Sequence, residues 1–124
     1  MSIKAAAFGR LGPHVLVCAM PFIDTHSLPV NEKRPGWRGR IFQSQTMTFA
    51  HWDFAAGSTI HEHGHEQEEV WHVLQGELEV TIDGEAQVAG PGMVAIVPAN
   101  APHAVKALSD GKAIVADYPL RPDF

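Results

Sequence analysis

The stretch Gly57-Ser-Thr-Ile-His61-Glu62-His63-Gly64-His65-Glu66-Gln67-Glu68-Glu69 packs three histidines and four glutamates into nine residues. Residues two apart on a strand share a face, so His61, His63 and His65 can all point the same way. Imidazoles converging with a carboxylate are what a divalent transition metal requires. Glu69 opens the next segment four residues after His65 and can fold back across a turn to meet His63 and His65. A shifted register would use His61 in place of His63 and Glu68 as the carboxylate, and the histidines and glutamates alone do not choose.

Charge is distributed unevenly along the 124 residues. All nine Lys and Arg lie at or before Arg40 or at or after Lys106, while nine of the fourteen acids fall between Asp53 and Glu85. Such a stretch repels itself unless its acids are solvated or a cation offsets some of them. The formal net charge of −5 gives no electrostatic support to binding nucleic acid or an anionic membrane. One cysteine, Cys18, excludes an internal disulfide framework and is read as a buried small hydrophobe. No apolar run approaches a membrane span, and the first residues lack the layout of a signal peptide, so the expected setting is cytoplasmic.

The elements that must position the histidines are short. Length and composition suit one compact domain. Gly and Pro punctuate the whole chain, and the readable segments alternate polar with apolar, the pattern of an antiparallel barrel or sandwich. In Glu77 to Ile82, Leu78, Val80 and Ile82 face a core, and Asp83-Gly84 marks a two-residue hairpin. Further strands are expected at His14–Met20, Ile41–Phe54, Met93–Val97, His103–Leu108 and Lys112–Tyr118. The basic, Pro- and Gly-rich segment Ile23–Gly39 reads as a loop, which divides the chain into an N-terminal strand and excursion (1–40) and a barrel (41–124).

The spacing of these residues resembles a known family. Gly57, five residues, His63, one, His65, three, Glu69, six, Gly76 is similar to the first cupin motif at every defined position. Gly92, five residues, Pro98, then His103 five residues later, resembles the second. Asn100 stands where that motif usually has Gly, which Asn approximates because it also accepts left-handed φ. Ala107 stands where the motif usually has Asn and removes no usual ligand. The resemblance covers Gly57 to Ala107 and implies an all-β, single-domain jelly-roll β-barrel. It also implies one divalent metal on His63, His65, Glu69 and His103. The Gly76 spacing argues against the shifted register.

Three imidazoles and one carboxylate leave one or two open positions on a five- or six-coordinate ion, as catalytic sites do. The donor set suits Fe, Mn, Ni, Co, Cu or Zn. The expected function is an enzyme acting on a small polar, oxygen-rich molecule (a sugar acid, enol or diketone) by isomerisation, lyase or dioxygenase chemistry. A non-catalytic binder or sensor, and a barrel whose metal is structural, are the alternatives. His61 is the candidate pocket base, with a solvated histidine as its plain alternative. Trp71 shares the face of Glu69 and either packs in the core or stacks on a ligand. With no basic side chain from Ile41 to Val105, an anionic substrate would draw a second counter-charge from Arg38 or Arg40, if the excursion folds over a barrel mouth. Met47 and Phe49 are read as core. Val70 and Leu74, opposite Glu69, would be exposed in a monomer, so a homodimer is expected. In the closing residues Asp117 to Phe124, Asp117 or Tyr118 could reach the barrel mouth, with packing or end capping as the plain alternative.

Overall fold

A computed structural model describes residues 21–122 and the backbone of two earlier strands, Phe8–Arg10 (β1) and Val15–Cys18 (β2). His14 and the side chain of Cys18 lie outside the described residues. A single 3-10 turn at Thr25–Ser27 precedes ten further strands. These are Asn31–Arg34 (β3), Trp37–Gln43 (β4), Thr48–Phe54 (β5), Thr59–His63 (β6), Glu68–Gln75 (β7) and Leu78–Ile82 (β8). Glu85–Ala89 (β9), Val94–Val97 (β10), His103–Ala107 (β11) and Gly111–Tyr118 (β12) complete the set. Among the described residues no helix is long and apolar enough to cross a membrane.

Two sheets face each other as a jelly roll, and the chain is all-β as expected. The larger has the order β1-β2-β4-β5-β12-β7-β10 with β3 added on β4, and the smaller has the order β6-β11-β8-β9. Alternation puts Leu78 and Val80 of β8, and Ala113, Val115 and Asp117 of β12, between the sheets. The hairpin joining β8 to β9 turns at Asp83 (φ 50°) and Gly84 (φ 81°), as the Asp-Gly pair predicts.

The upstream region departs from expectation. Ile23–Gly39 is a loop only as far as Val30: beyond it, Pro35-Gly36 forms the turn of a hairpin in which Arg34 pairs with Trp37. Pro presets φ at the first turn position and Gly36, at φ 84°, supplies the positive φ of the second. A division at residue 40 therefore falls inside β4. The single strand read over Ile41–Phe54 is two strands, broken at Ser44–Met47, where the Ser44 hydroxyl accepts from the Met47 amide. Phe49 is not core. It faces outward, half-buried, and stacks on Phe42 across the strand pair at 5.1 Å.

Trp37 is fully buried at the centre of the core. Its ring packs edge-on against Trp52 (6.2 Å) and Trp71 (5.9 Å) and lies 5.6 Å from Phe54. Edge-to-face aromatic pairs add about 0.5–1.5 kcal/mol each beyond their burial, so this cluster fixes the floor beneath the histidines.

Candidate metal centre

β6, β7 and β11 position the donors. β7 begins with Glu68, and alternation turns Glu69, Trp71 and Val73 inward. β11 opens with His103, which is opposite His63 of β6. Between His103 and Val105 the ladder slips: Val105 pairs with Ile60, so three steps along β6 oppose two along β11. This is a β-bulge, which re-aims side chains. Ile60 and His63 both turn inward, and His61 and Glu62 are left exposed. His61 therefore does not share the face of His63, which corrects the two-residue reading. Its ring lies 6.3 Å from that of His63 and borders a shallow groove on the outer surface with Glu79 and Lys106.

The structure brings His63, His65, Glu69 and His103 together. One ring nitrogen from each histidine lies within 4.8 Å of the others. His65 Nε2 is 3.4 Å from Glu69 Oε1, and His103 Nε2 is 3.2 Å from Glu69 Oε2. Each imidazole is oriented from behind by main chain. Nδ1 donates to the His61 carbonyl from His63 (2.9 Å), to Gln67 from His65 (3.0 Å) and to Ala101 from His103 (2.9 Å). A carbonyl only accepts, so Nδ1 carries the proton and Nε2 is left as a donor atom for a cation.

That arrangement tests whether a metal fits. The Nε2 atoms of His65 and His103 are buried and make no well-aligned hydrogen bond. Neutral Nε2 lone pairs facing carboxylate lone pairs repel unless a proton or a metal ion lies between them. Burial opposes a charge on His103, but the Glu69 carboxylate 3.2 Å away and the Ala101 carbonyl outweigh it and raise its pKa. Burial would likewise raise Glu69, yet the groups around its oxygens, His103 first and then His65, Asp117 and Trp71, hold it well below the usual carboxylate range. His63 is lowered, chiefly by burial. The residues present fit one divalent ion with nitrogen and oxygen donors.

Three further side chains shape the site. Trp71 Nε1 donates to Glu69 Oε2 at 2.7 Å, so its indole both packs in the core and holds the carboxylate. Asp117 is fully buried, and its ligand atom lies within 4.8 Å of those of His65 and Glu69. Burial, and then the Glu69 charge, push it up to about 8. Arg121 Nη1 donates to Glu69 Oε1 at 3.3 Å and to Asp117 Oδ2 at 3.4 Å.

Arg38 and Arg40 are not at the cavity. Both turn to the outer face of β4, near Glu32 (3.8 Å) and Asp53 (3.9 Å) respectively. The cations at the cavity are instead Arg34, on the β3 side of the hairpin, and Arg121. With Trp52, Ile60, His63, Glu69 and Trp71 they surround a free volume of about 20 Å³. A larger groove of about 630 Å³ opens between the edge strands β9 and β10 and carries none of the donors. The sequence offered a signal for Asp117, since it continues the inward row Ala113-Val115. It offered none for Arg121, which follows the last strand.

Residues 50–118, more than half of the chain, match the cupin domain family, and the chain belongs to that family. It is similar to solved structures from several bacteria. An RmlC-like cupin from Shewanella frigidimarina aligns with a TM-score of 0.79 at 22% identity, over 86% of this chain and 96% of that one. KdgF from a Halomonas species aligns with a TM-score of 0.78 at 26% identity, over 85% and 98%. TT1209 from Thermus thermophilus aligns with a TM-score of 0.65 at 30% identity, over 81% and 98%. No curated protein matches the chain.

Proposed function

We propose that this cupin is a metal-dependent enzyme acting on a small, polar, oxygen-rich molecule such as a sugar acid, enol or diketone. The observation that carries the reading is the convergence of three carbonyl-oriented imidazoles on the Glu69 carboxylate. His63, His65, Glu69 and His103 would hold one divalent metal. When bound, such an ion supplies a Lewis acid that polarises a carbonyl or enediol oxygen.

The chain's own groups supply the rest. Arg121 and Arg34 stand at the cavity to receive a carboxylate, and the planar guanidinium suits that geometry. Trp52, Ile60 and Trp71 exclude water from the inner wall and strengthen every charge interaction there. Asp117 retains a proton through neutral pH and steadies Arg121. Isomerisation and lyase chemistry match this set, because both call for a polarised substrate oxygen and a proton held nearby.

A second reading is a non-catalytic binder or sensor that uses the metal to grip a carboxylate, and the two arginines at the cavity favour it. Elemental analysis of protein purified without a histidine tag, followed by turnover assays on sugar acids and diketones, tests both. Stoichiometric metal with turnover supports the enzyme. Stoichiometric metal with ligand binding and no turnover supports the binder, and absence of metal after reconstitution rejects both.

A further inference from the structure

The residues after β12 form a strap that is latched rather than merely laid across the barrel. Gln67 Nε2 donates to the Leu120 carbonyl at 2.9 Å, and the Arg121 amide donates to Thr48 Oγ1 at 2.8 Å. Gln43 Nε2 reaches both Thr48 Oγ1 (2.9 Å) and the Arg121 carbonyl (3.4 Å). Gln43, Thr48 and Gln67 are all buried. Buried polar groups are costly unless hydrogen-bonded, so three strand and loop side chains are committed to two residues of the strap. Such latching fixes the Arg121 backbone and delivers its guanidinium to Glu69 and Asp117.

Glu69 is then asked to serve two cations. Its Oε1 faces His65 Nε2 at 3.4 Å and Arg121 Nη1 at 3.3 Å, while Oε2 faces His103 and accepts from Trp71. A divalent ion among the three Nε2 atoms would draw on the same carboxylate and repel the guanidinium. Asp117, 3.4 Å from Arg121, offers the guanidinium an alternative anchor that is not shared with His103. We propose that Arg121 is a tethered cation that competes with the metal for Glu69. Metal entry loosens the hold of Glu69 on the guanidinium, which stays on Asp117 at the cavity wall and is freed to receive the carboxylate of a small organic anion. Metal and anion then bind with positive coupling, and each strengthens the other by the same factor.

This inference rests on the reading of the site as a metal centre, and one set of titrations separates the two. Metal-stripped wild type and the variants Arg121→Gln, Arg121→Lys and Thr48→Val are titrated with cobalt(II) by calorimetry, with and without acetate. Without acetate, Arg121→Gln is expected to bind cobalt about ten-fold more tightly than wild type. Arg121→Lys, which keeps the charge, stays near wild type. Thr48→Val, which releases the latch, moves toward Arg121→Gln and carries the comparison if that variant does not fold. Acetate tightens cobalt binding in wild type and leaves Arg121→Gln unchanged. Equal or weaker cobalt binding by Arg121→Gln, the sign expected if Arg121 merely supports Glu69, overturns the proposal while the metal centre stands. Absence of cobalt binding by wild type overturns both.

Discussion

The backbone amide of Asn100 donates to the carbonyl of His65 at 2.8 Å, from a residue held at φ 65°. The turn before β11 is thereby tied to the loop that presents a candidate ligand. Left-handed φ costs an ordinary L-residue about 1–2 kcal/mol, and a β-branched one the most. Asn100→Val is expected to lose about that much stability and to weaken metal binding through His65. Asn100→Gly should match wild type in both. Denaturant unfolding and metal titration of the two variants check this, and a Val variant equal to wild type would count against the tie.

Metal should stabilise the fold, because its donors converge only in the native state. At free metal 100-fold above its dissociation constant the gain is about 2.7 kcal/mol, read as a rise in melting temperature that a chelator reverses. His103→Ala should abolish the rise. Melting curves with and without metal that coincide in wild type would refute the assignment.

Asp117 gives the metal-free protein a defined pH dependence. Its pKa is raised by burial and by Glu69 from 3.8 to about 8, so between those values the folded state holds a proton that the unfolded state has released. Stability therefore falls as pH rises through that window, and the full cost of the ionised carboxyl is present above it. Asp117→Asn mimics the protonated acid, so the variant should be more stable than wild type near pH 9. At pH 5, only a little above the unfolded pKa, the difference should be much smaller. Urea unfolding of metal-free protein at both pH values decides it, and a variant less stable at pH 9 would contradict the argument.

The outer face of the larger sheet remains apolar at one edge. Leu74 is 41% exposed, and Val94 and Ile96 of the edge strand β10 are 50% and 59% exposed. Val70, half-buried, pairs with Ile96 across the ladder. This row extends the sequence-based expectation of a homodimer. Light scattering at micromolar concentration should give twice the monomer mass, and Ile96→Arg should reduce it to the monomer. A monomeric wild type would rule it out.

What was legible in the sequence was tied to backbone conformation. Gly57, Gly76, Gly92 and Asn100 all have positive φ, so the spacings between them and the donors are set by turns that few other residues can make. Gly76 also has no room for a side chain, since a Cβ there would lie 2.2 Å from the Asp110 carbonyl oxygen. The resemblance to the cupin motifs, whose spacings run between such fixed points, is what pointed to His63, His65, Glu69 and His103. Counting by strand alternation failed where the ladder slips, and His61 was misassigned for that reason. β3 and the first half of β4 were hidden because Pro35 and Gly36 read as loop punctuation when they form a hairpin turn. Arg121 lies beyond the last strand, where no periodicity predicts direction.

Trp37, Trp52 and Trp71 are the only tryptophans in the chain, and all three belong to the single aromatic cluster beneath the histidines. Two of them line the cavity, and one is hydrogen-bonded to Glu69. The intrinsic fluorescence of this protein therefore comes from one place. A quenching ion or a carboxylate entering the cavity registers directly in that emission, so the molecule carries its own optical probe of the site without a label.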